Sequence, residues 1–189
     1  LIQKYDEEQA GRVENIEAKV DRYEDELGTY LVKLNNKDLS EKDSHSVSIM
    51  LHCIGDFERI SDHAVNIMES ARELYEKNLS FSVQAKTELQ VLIATVGRIV
   101  DTAYEVFDKQ DMNLTRDVEP LEEIVDELSK ELKRRHVNRL RSGECTIEMG
   151  FILTDLLTSL ERIADHCSNI SVCVTQVREN LYDTHSHLE

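Results

Sequence analysis

Apolar residues recur at steps of three and four along five long segments of the chain, and this spacing predicts an all-α protein. The predicted helices cover about residues 6–35, 43–77, 82–109, 115–142 and 146–180. The most regular apolar stripe lies in the fifth segment and consists of Leu153, Leu156, Leu160, Ile163, Cys167, Ile170, Val174, Val177 and Leu181. A stripe of this length packs along long antiparallel neighbours, so the sequence predicts a helical bundle.

The first two predicted helices also have apolar faces, which we expect to lie in the core. In the first helix this face consists of Val13, Ile16, Val20, Leu27, Leu31 and Leu34. In the second helix it consists of Val47, Met50, Ile54, Phe57, Ala64, Met68, Ala71 and Tyr75. We expect Ser80 or Ser82 to cap the third helix. Pro120 suits the fourth helix if it lies in the first turn, where a missing N–H costs little.

Composition narrows the class of protein. The chain has 189 residues with only one Pro and six Gly, which are too few turn formers for a β sandwich or barrel.

The four cysteines form no CxxC pair, which excludes a zinc-ribbon site. We interpret them as buried, reduced thiols. No apolar run reaches the roughly 18 residues that a membrane-spanning helix needs, so we do not expect this segment to span a membrane.

The charge of the chain narrows the choice of partners. Lys and Arg total 22 and Asp and Glu total 38, so the net charge is −16. Such a surface repels the phosphate backbone of nucleic acids and the anionic surface of membranes. Cations, basic proteins and metal ions are therefore the favoured electrostatic partners.

Two parts of the chain are copies of one another. Residues 58–67 read ERISDHAVNI and residues 161–170 read ERIADHCSNI, with seven identities in ten at an offset of 103. The first and fourth helices match at an offset of 105, with the identical pairs Val13/Val118, Glu14/Glu119, Glu17/Glu122, Val20/Val125, Asp21/Asp126, Glu26/Glu131, Leu27/Leu132 and Val32/Val137. We therefore expect a first helical repeat over 1–110 and a second over 111–189, whose last helix is absent or cut short after Asn180.

Each repeat carries two Glu-x-x-x-Asp pairs on consecutive helices. They are Glu17/Asp21 and Glu58/Asp62 in the first repeat, and Glu122/Asp126 and Glu161/Asp165 in the second. Carboxylates four residues apart share a helix face and repel each other by about 0.2–0.5 kcal/mol. A hard or borderline divalent metal would reverse the sign of that interaction. A solvated acidic face is the alternative for any single pair, but recurrence in both repeats favours metal binding at the rim of the bundle.

Polar residues next to these pairs are candidates for supporting roles. Asn66 and Asn169 lie one turn beyond the aspartates and could be metal ligands, partners of ligands or surface amides. Arg59 and Arg162 are expected to neutralise neighbouring carboxylates, and binding of an anion such as phosphate is the alternative.

Familiar catalytic patterns are missing from the sequence. None of the seven histidines follows an acidic residue by three positions, the spacing of a ferritin-like di-iron site. There is no Gly-rich phosphate loop and no GxSxG motif. His63 and His166 are expected to be hydrogen-bonded residues at the edge of the apolar stripe. The sequence therefore predicts a protein that is not an enzyme, and a carboxylate-bridged metalloenzyme is the least favoured alternative.

The repeated pattern E-R-I-x-D-H-x-x-N-I, on the second long helix of each three-helix unit, resembles the PhoU family. The Glu-x-x-x-Asp pairs on the first helix of each unit fit that family too. Residues 139–170, RLRSGECTIEMGFILTDLLTSLERIADHCSNI, are similar to the C-terminal PhoU-like domain of bacterial sodium/phosphate cotransporter proteins. The resemblance covers roughly residues 12–180.

This resemblance implies an α-helical fold of two three-helix repeats and a role in regulating phosphate uptake and signalling, without catalysis. It implies that a multinuclear iron or zinc cluster can be held at the surface by Glu17, Asp21, Glu58, Asp62, Glu122, Asp126, Glu161 and Asp165. We expect a regulatory domain at the cytoplasmic face of the membrane, docked on the transmembrane part of a sodium-dependent phosphate transporter. That transmembrane part belongs to the same chain or to a partner protein. A homodimer is a further option. The alternative is a stand-alone phosphate-signalling regulator that bridges a transporter and a sensor kinase.

Overall fold

The part of the chain that the structure describes consists of five α-helices and contains no strand. The structure is a computed structural model, which describes residue 2 and residues 4–185, with side chains up to residue 179. The helices are α1 (Glu7–Asn35), α2 (Glu41–Glu76), α3 (Val83–Lys109), α4 (Thr115–Arg141) and α5 (Ile147–His185). The predicted all-α fold is confirmed. None of the helices in these ranges contains a stretch that could span a bilayer.

The helix ends follow local signals in the sequence. Asp6, Ser40 and Ser82 each accept a hydrogen bond from the backbone N–H three residues later, so they cap α1, α2 and α3. Of the two candidate caps for α3, Ser82 is the one used, and Ser40 starts α2 slightly earlier than predicted. Pro120 lies in the second turn of α4 instead of the first.

The predicted stripe of α5 is confirmed where its side chains are described. Leu156 and Ile170 are fully buried, and the stripe continues through the half-buried Val174 and Val177. Its last member, Leu181, and the residues 186–189 lie outside the described side chains. The expected end of the helix near Asn180 is wrong, since α5 continues to His185.

Three helices form a closed bundle that contains most of the core. α3, α4 and α5 contact one another in all three pairs, and the main hydrophobic cluster is built largely from their residues. Leu92, Ile99 and Leu156 are completely buried within it. Full burial of such a side chain contributes about 1.5–3 kcal/mol, so this bundle dominates the stability of the fold.

The hairpin of α1 and α2 is attached to the side of that bundle. α2 packs along α5, whereas α1 contacts α2 alone among the described helices. α3 thus follows the first hairpin in the chain but covers the hairpin of the second repeat. The division into repeats at 110/111 stays a prediction.

Identical residues are buried differently in the two hairpins because α3 covers only one of them. Leu132 of α4 is 3% exposed, whereas its repeat equivalent Leu27 of α1 is 47% exposed. Ile16 of α1 is also exposed, as are Met50 and Tyr75 of α2. The expected burial of these four residues is therefore wrong. α3 does not pack along this hairpin, and Leu27 and Met50 line an open cavity instead of a closed core.

Candidate functional site

The register of α1 against α2 decides which acidic residues of the first repeat meet. Arg72 Nη2 donates to Glu14 Oε1 over 2.8 Å, which joins the later part of α2 to the early part of α1. Gly28 lies beside Ile54, because a Cβ at Gly28 would be 3.9 Å from Ile54 Cδ1. The two helices are therefore antiparallel, and a step forward along α1 corresponds to a step back along α2.

We call Glu17, Asp21, Glu58 and Asp62 the first acidic cluster. The register brings Asp21 level with Asp62, with Glu17 about one turn closer to the start of α1. Burial raises the pKa of Glu58, and the nearby carboxylates of Asp62 and Glu24 raise it further. Glu24, which the motif search did not single out, is thus the α1 carboxylate that acts on Glu58. Crowded carboxylates of this kind favour the arrival of a proton or a cation.

The two motif arginines lie against the motif carboxylates, as expected. Arg59 Nε is 3.5 Å from Glu58 Oε2, and Arg59 Nη1 is 3.5 Å from Asp62 Oδ2. In the second repeat, Arg162 Nη1 donates to Asp165 Oδ2 over 3.2 Å. Both guanidinium groups are mostly exposed, so these pairs are worth less than about 1 kcal/mol and can rearrange.

Glu122, Asp126, Glu161 and Asp165 form what we call the second acidic cluster, along the contact between α4 and α5. Burial raises the pKa of Glu122, and the carboxylates of Asp126, Glu119 and Asp165 raise it further. Residues from both helices therefore act on one carboxyl group. The fold brings these motif residues together across α4 and α5.

Two lysines of α4 lie in the second acidic cluster. Lys133 Nζ donates to both carboxylate oxygens of Glu161, over 2.9 and 3.1 Å, and Lys130 Nζ donates to Asp126 Oδ2 over 3.0 Å. Their repeat equivalents in α1 are Gly28 and Asp25. The second cluster thus contains its own counter-charges at two positions where the first cluster has none.

The chemistry of the donors suits a metal ion better than their present arrangement does. Carboxylate oxygens are good ligands for hard and borderline divalent cations. Burial and the neighbouring carboxylate of Asp62 raise the pKa of Glu58 although Arg59 lies beside it. Among the described residues, however, no three carboxylate, imidazole or thiol groups are grouped as a metal site would require. Side-chain rotation would be needed to build a coordination sphere, and in the second cluster the lysines would have to move.

The motif histidines meet where α2 crosses α5. His63 and His166, which are repeat equivalents, stack with their ring centroids 5.8 Å apart. His166 Nδ1 lies 2.8 Å from Asp56 Oδ1, and Asn169 Nδ2 donates to the same oxygen over 3.1 Å. Asn66 lies 3.4 Å from His63 through Nδ2 and Nδ1. These residues are hydrogen-bonded, as expected of the histidines.

A central cleft of about 580 Å³ opens beside this crossing, lined by residues of α1, α2 and α5 that include Glu24, Asp56, Arg59, His166 and Asn169. Asp56, whose side chain is 13% exposed, contacts His166 and accepts a hydrogen bond from Asn169 in the wall of this cleft, and sequence reasoning missed it. Its repeat equivalent is Ser159, so the duplication carries no signal for it.

A cysteine–histidine contact near the loop between α4 and α5 was also missed. Cys145 Sγ lies 3.5 Å from His136 Nδ1. Burial lowers the pKa of His136, and the positive charge of Arg139 lowers it further. The two residues lie nine positions apart on either side of a helix end, a spacing without a known motif. Both effects favour the neutral imidazole, which can accept a hydrogen bond from the Cys145 thiol.

Comparisons with known proteins find one matching domain family and two curated relatives. The model of the PhoU domain family matches residues 1–71 and 89–174. A PhoU homolog 1 of Thermotoga maritima, named as a phosphate-specific transport system accessory protein, is 29% identical over 61% of this chain and 49% of its own length. The corresponding PhoU homolog of Deinococcus radiodurans is 24% identical over 85% of this chain and 75% of its own length.

A solved structure supports the fold. The crystal structure of PhoU from Pseudomonas aeruginosa matches with a TM-score of 0.81 at 24% identity, over 90% of this chain and 81% of that one. At this identity the similarity establishes the fold alone. The chain spans about half the length of the Thermotoga relative, so the activity of a whole relative does not transfer to it directly.

Proposed function

The chain belongs to the PhoU family, and from that premise we propose that it regulates phosphate transport as a non-catalytic accessory protein. The observation that carries the proposal is the match of the family model to both halves of the chain, residues 1–71 and 89–174. The names of the Thermotoga and Deinococcus relatives, both accessory proteins of a phosphate-specific transport system, support the same role.

In this proposal the chain works as a phosphate-signalling regulator that bridges a transporter and a sensor kinase at the cytoplasmic face of the membrane. The relatives favour this form because their names describe accessory proteins rather than transporters. A second candidate is a regulatory domain within a sodium-dependent phosphate cotransporter. It is favoured by the similarity of residues 139–170 to the PhoU-like domains of such proteins.

Phosphate uptake in cells tests the proposal. Uptake of radiolabelled phosphate is measured at low and high external phosphate in cells with and without the coding segment for this chain. The proposal predicts that its removal changes the uptake rate or abolishes the response to external phosphate. Unchanged uptake and an unchanged response would show that the chain is not a regulator.

The native polypeptide distinguishes the two candidates. An antibody against this chain, which accounts for 21.8 kDa, is used on fractionated cells. A larger polypeptide that stays in the membrane after an alkaline wash supports the cotransporter domain. A polypeptide that the wash releases from the membrane supports the bridging regulator, and crosslinking then identifies the proteins it contacts.

We also propose that the two acidic clusters bind transition-metal ions, iron or zinc, through their carboxylates. Burial and neighbouring carboxylates raise the pKa of both Glu58 and Glu122, which supports this proposal. Any bound metal would neutralise these faces and fix the side chains of α1 against α2 and of α4 against α5.

Metal analysis of gently purified protein tests the metal proposal. Asp62→Ala and Asp165→Ala are each expected to remove about half of the bound metal, because each variant removes one ligand of one cluster. Asp101→Ala, on the exposed surface of α3, is the matched control and should leave the metal content unchanged. Wild-type protein that contains no metal and binds none in a titration would contradict the proposal.

A further inference from the structure

We propose that Cys53 of α2 and Cys173 of α5 form an oxidisable thiol pair, which hydrogen peroxide converts into a disulfide that joins the two helices. Both residues belong to one small core cluster, completed by Ile49 and Ile170. Their exposed fractions are only 5% and 9%. The cluster lies between the hairpin of the first repeat and the three-helix bundle, so a covalent bond there would fix one to the other.

The two thiols share one small buried cluster and line one wall of the same cavity. Hydrogen bonding between them lowers the pKa of Cys173 and raises that of Cys53. Burial acts in the opposite direction on Cys173 but is the weaker effect. Cys173 also lines the polar central cleft, whereas Cys53 does not. We therefore infer that Cys173 is the sulfur that attacks the oxidant, and that Cys53 then reacts with the oxidised Cys173.

Two cavities give a small oxidant access to the pair. Cys173 lines the central cleft, whose walls include the polar residues His52 and Asp56. It also lines a second cavity of about 450 Å³, to which Cys53 contributes as well. A molecule of the size and polarity of hydrogen peroxide can enter through the polar cleft, and the sulfenic acid formed there would face Cys53.

The reaction balances with hydrogen peroxide as the oxidant. The Cys173 thiolate attacks one peroxide oxygen, the O–O bond breaks, and Cys173 becomes a sulfenic acid while hydroxide leaves and takes up a proton. Cys53 sulfur then displaces the sulfenic hydroxyl, which leaves as water with the Cys53 proton. Overall, two thiols and one peroxide give one disulfide and two molecules of water.

The other two cysteines lack this arrangement. Burial, followed by the negative charge of Asp56, raises the pKa of Cys167 to about 12, so that thiol stays protonated. Cys145 lies at the α4–α5 loop beside His136, away from the α2–α5 contact. The positions that the repeat relates to Cys53 and Cys173 are Leu156 and Ser70, so the duplication did not copy the pair.

Peroxide treatment followed by mass spectrometry tests the proposal. Trypsin leaves Cys167 and Cys173 in one peptide, because no Lys or Arg lies between Arg162 and Arg178. The experiment therefore uses a Cys145→Ser, Cys167→Ala background, and circular dichroism confirms that it is folded. We expect peroxide to remove the mass of two hydrogen atoms and to link the peptide 43–59 to the peptide 163–178, with recovery after reduction by dithiothreitol.

Cys53→Ala in the same background is the matched control, and it should give a Cys173 sulfenic or sulfinic acid instead of the link. The midpoint of thermal unfolding should rise when the background protein is oxidised and stay unchanged or fall in this control. Three outcomes would overturn the proposal: two unmodified thiols after treatment, oxidation of Cys53 before Cys173, or a disulfide in wild-type protein that joins a different pair. Should Cys53→Ala fail to fold, Cys53→Ser with the same readouts replaces it.

Discussion

At the scale of single residues, the ion pair between Glu88 of α3 and Arg139 of α4 is the clearest buried charge contact. Arg139 Nη1 donates to both carboxylate oxygens over 3.2 and 3.0 Å. The two side chains are only 7% and 9% exposed. Loss of one partner of a buried pair costs about 3–5 kcal/mol, because the other charge remains buried and unpaired. We expect Glu88→Ala to lower the free energy of unfolding in urea by about this amount.

A second arginine on the same carboxylate supplies the control for this prediction. Arg135 Nη1 lies 3.1 Å from Glu88 Oε1, but its side chain is 44% exposed. Arg135→Ala should therefore cost less than about 1 kcal/mol. Equal losses in Arg135→Ala and Glu88→Ala would show that burial does not set the strength of these contacts.

Gly150 of α5 is required for close packing, because the side chain of His136 approaches its backbone. A Cβ built on Gly150 would lie 2.7 Å from His136 Nε2, and the buried imidazole has little room to move. We expect Gly150→Ala to destabilise the fold by about 1–3 kcal/mol, a typical cost of overpacking. Gly97→Ala in α3 meets no atom within 4 Å and should instead stabilise the helix by about 0.5–1 kcal/mol. Thermal unfolding of the two variants should thus shift in opposite directions.

At the scale of the helix, α1 and α4 have the same motif carboxylates but different neighbours. Lys133 of α4 binds Glu161, whereas Gly28 occupies the equivalent position in α1. Since a metal ion would compete with this lysine, we expect Lys133→Ala to raise the affinity of the second acidic cluster for Zn²⁺ in calorimetric titration. The loss of stability should stay under about 1 kcal/mol because the Lys133 side chain is 41% exposed.

Lys109→Ala provides a matched loss of one exposed lysine. Lys109 pairs with Glu105, one turn earlier on α3, and belongs to neither acidic cluster. This variant changes the net charge by the same amount and should leave the affinity for Zn²⁺ nearly unchanged. Equal increases in both variants would mean that net charge, and not the local contact with Glu161, controls binding.

The helices themselves could be predicted from the sequence because their apolar periodicity and their capping residues are local signals. The helix that covers each hairpin could not be predicted from the same information. The apolar face of α3 would fit either hairpin, since Leu27 and Leu132 are identical residues on equivalent helices.

Two acidic residues of the candidate site were missed because the repeat gave no signal for them. Asp56 and Glu24 have no acidic counterpart in the second repeat, where the equivalent residues are Ser159 and Ser129.

At the scale of the whole molecule, one covered hairpin and one open hairpin meet along α2 and α5. The Asp56–His166 contact and the stacked His63–His166 pair lie at this junction, as does the Cys53–Cys173 pair. A chemical change at this junction would therefore alter the position of the first hairpin relative to the closed bundle. The bundle has its own core, so it can stay folded when the hairpin moves.

This division also predicts a gradient of local stability, which hydrogen exchange can measure. α1 has only two buried residues, Ala10 and Leu31, whereas α3 buries eight. Regions with few buried contacts open at low free energy, so we expect the amides of α1 to exchange fastest and those of α3 only near global unfolding. α4 is the matched comparison, because it shares eight residues with α1 at equivalent positions and differs in being covered by α3. Protection of α1 equal to that of α4 would show that helix sequence, and not the covering helix, determines local stability.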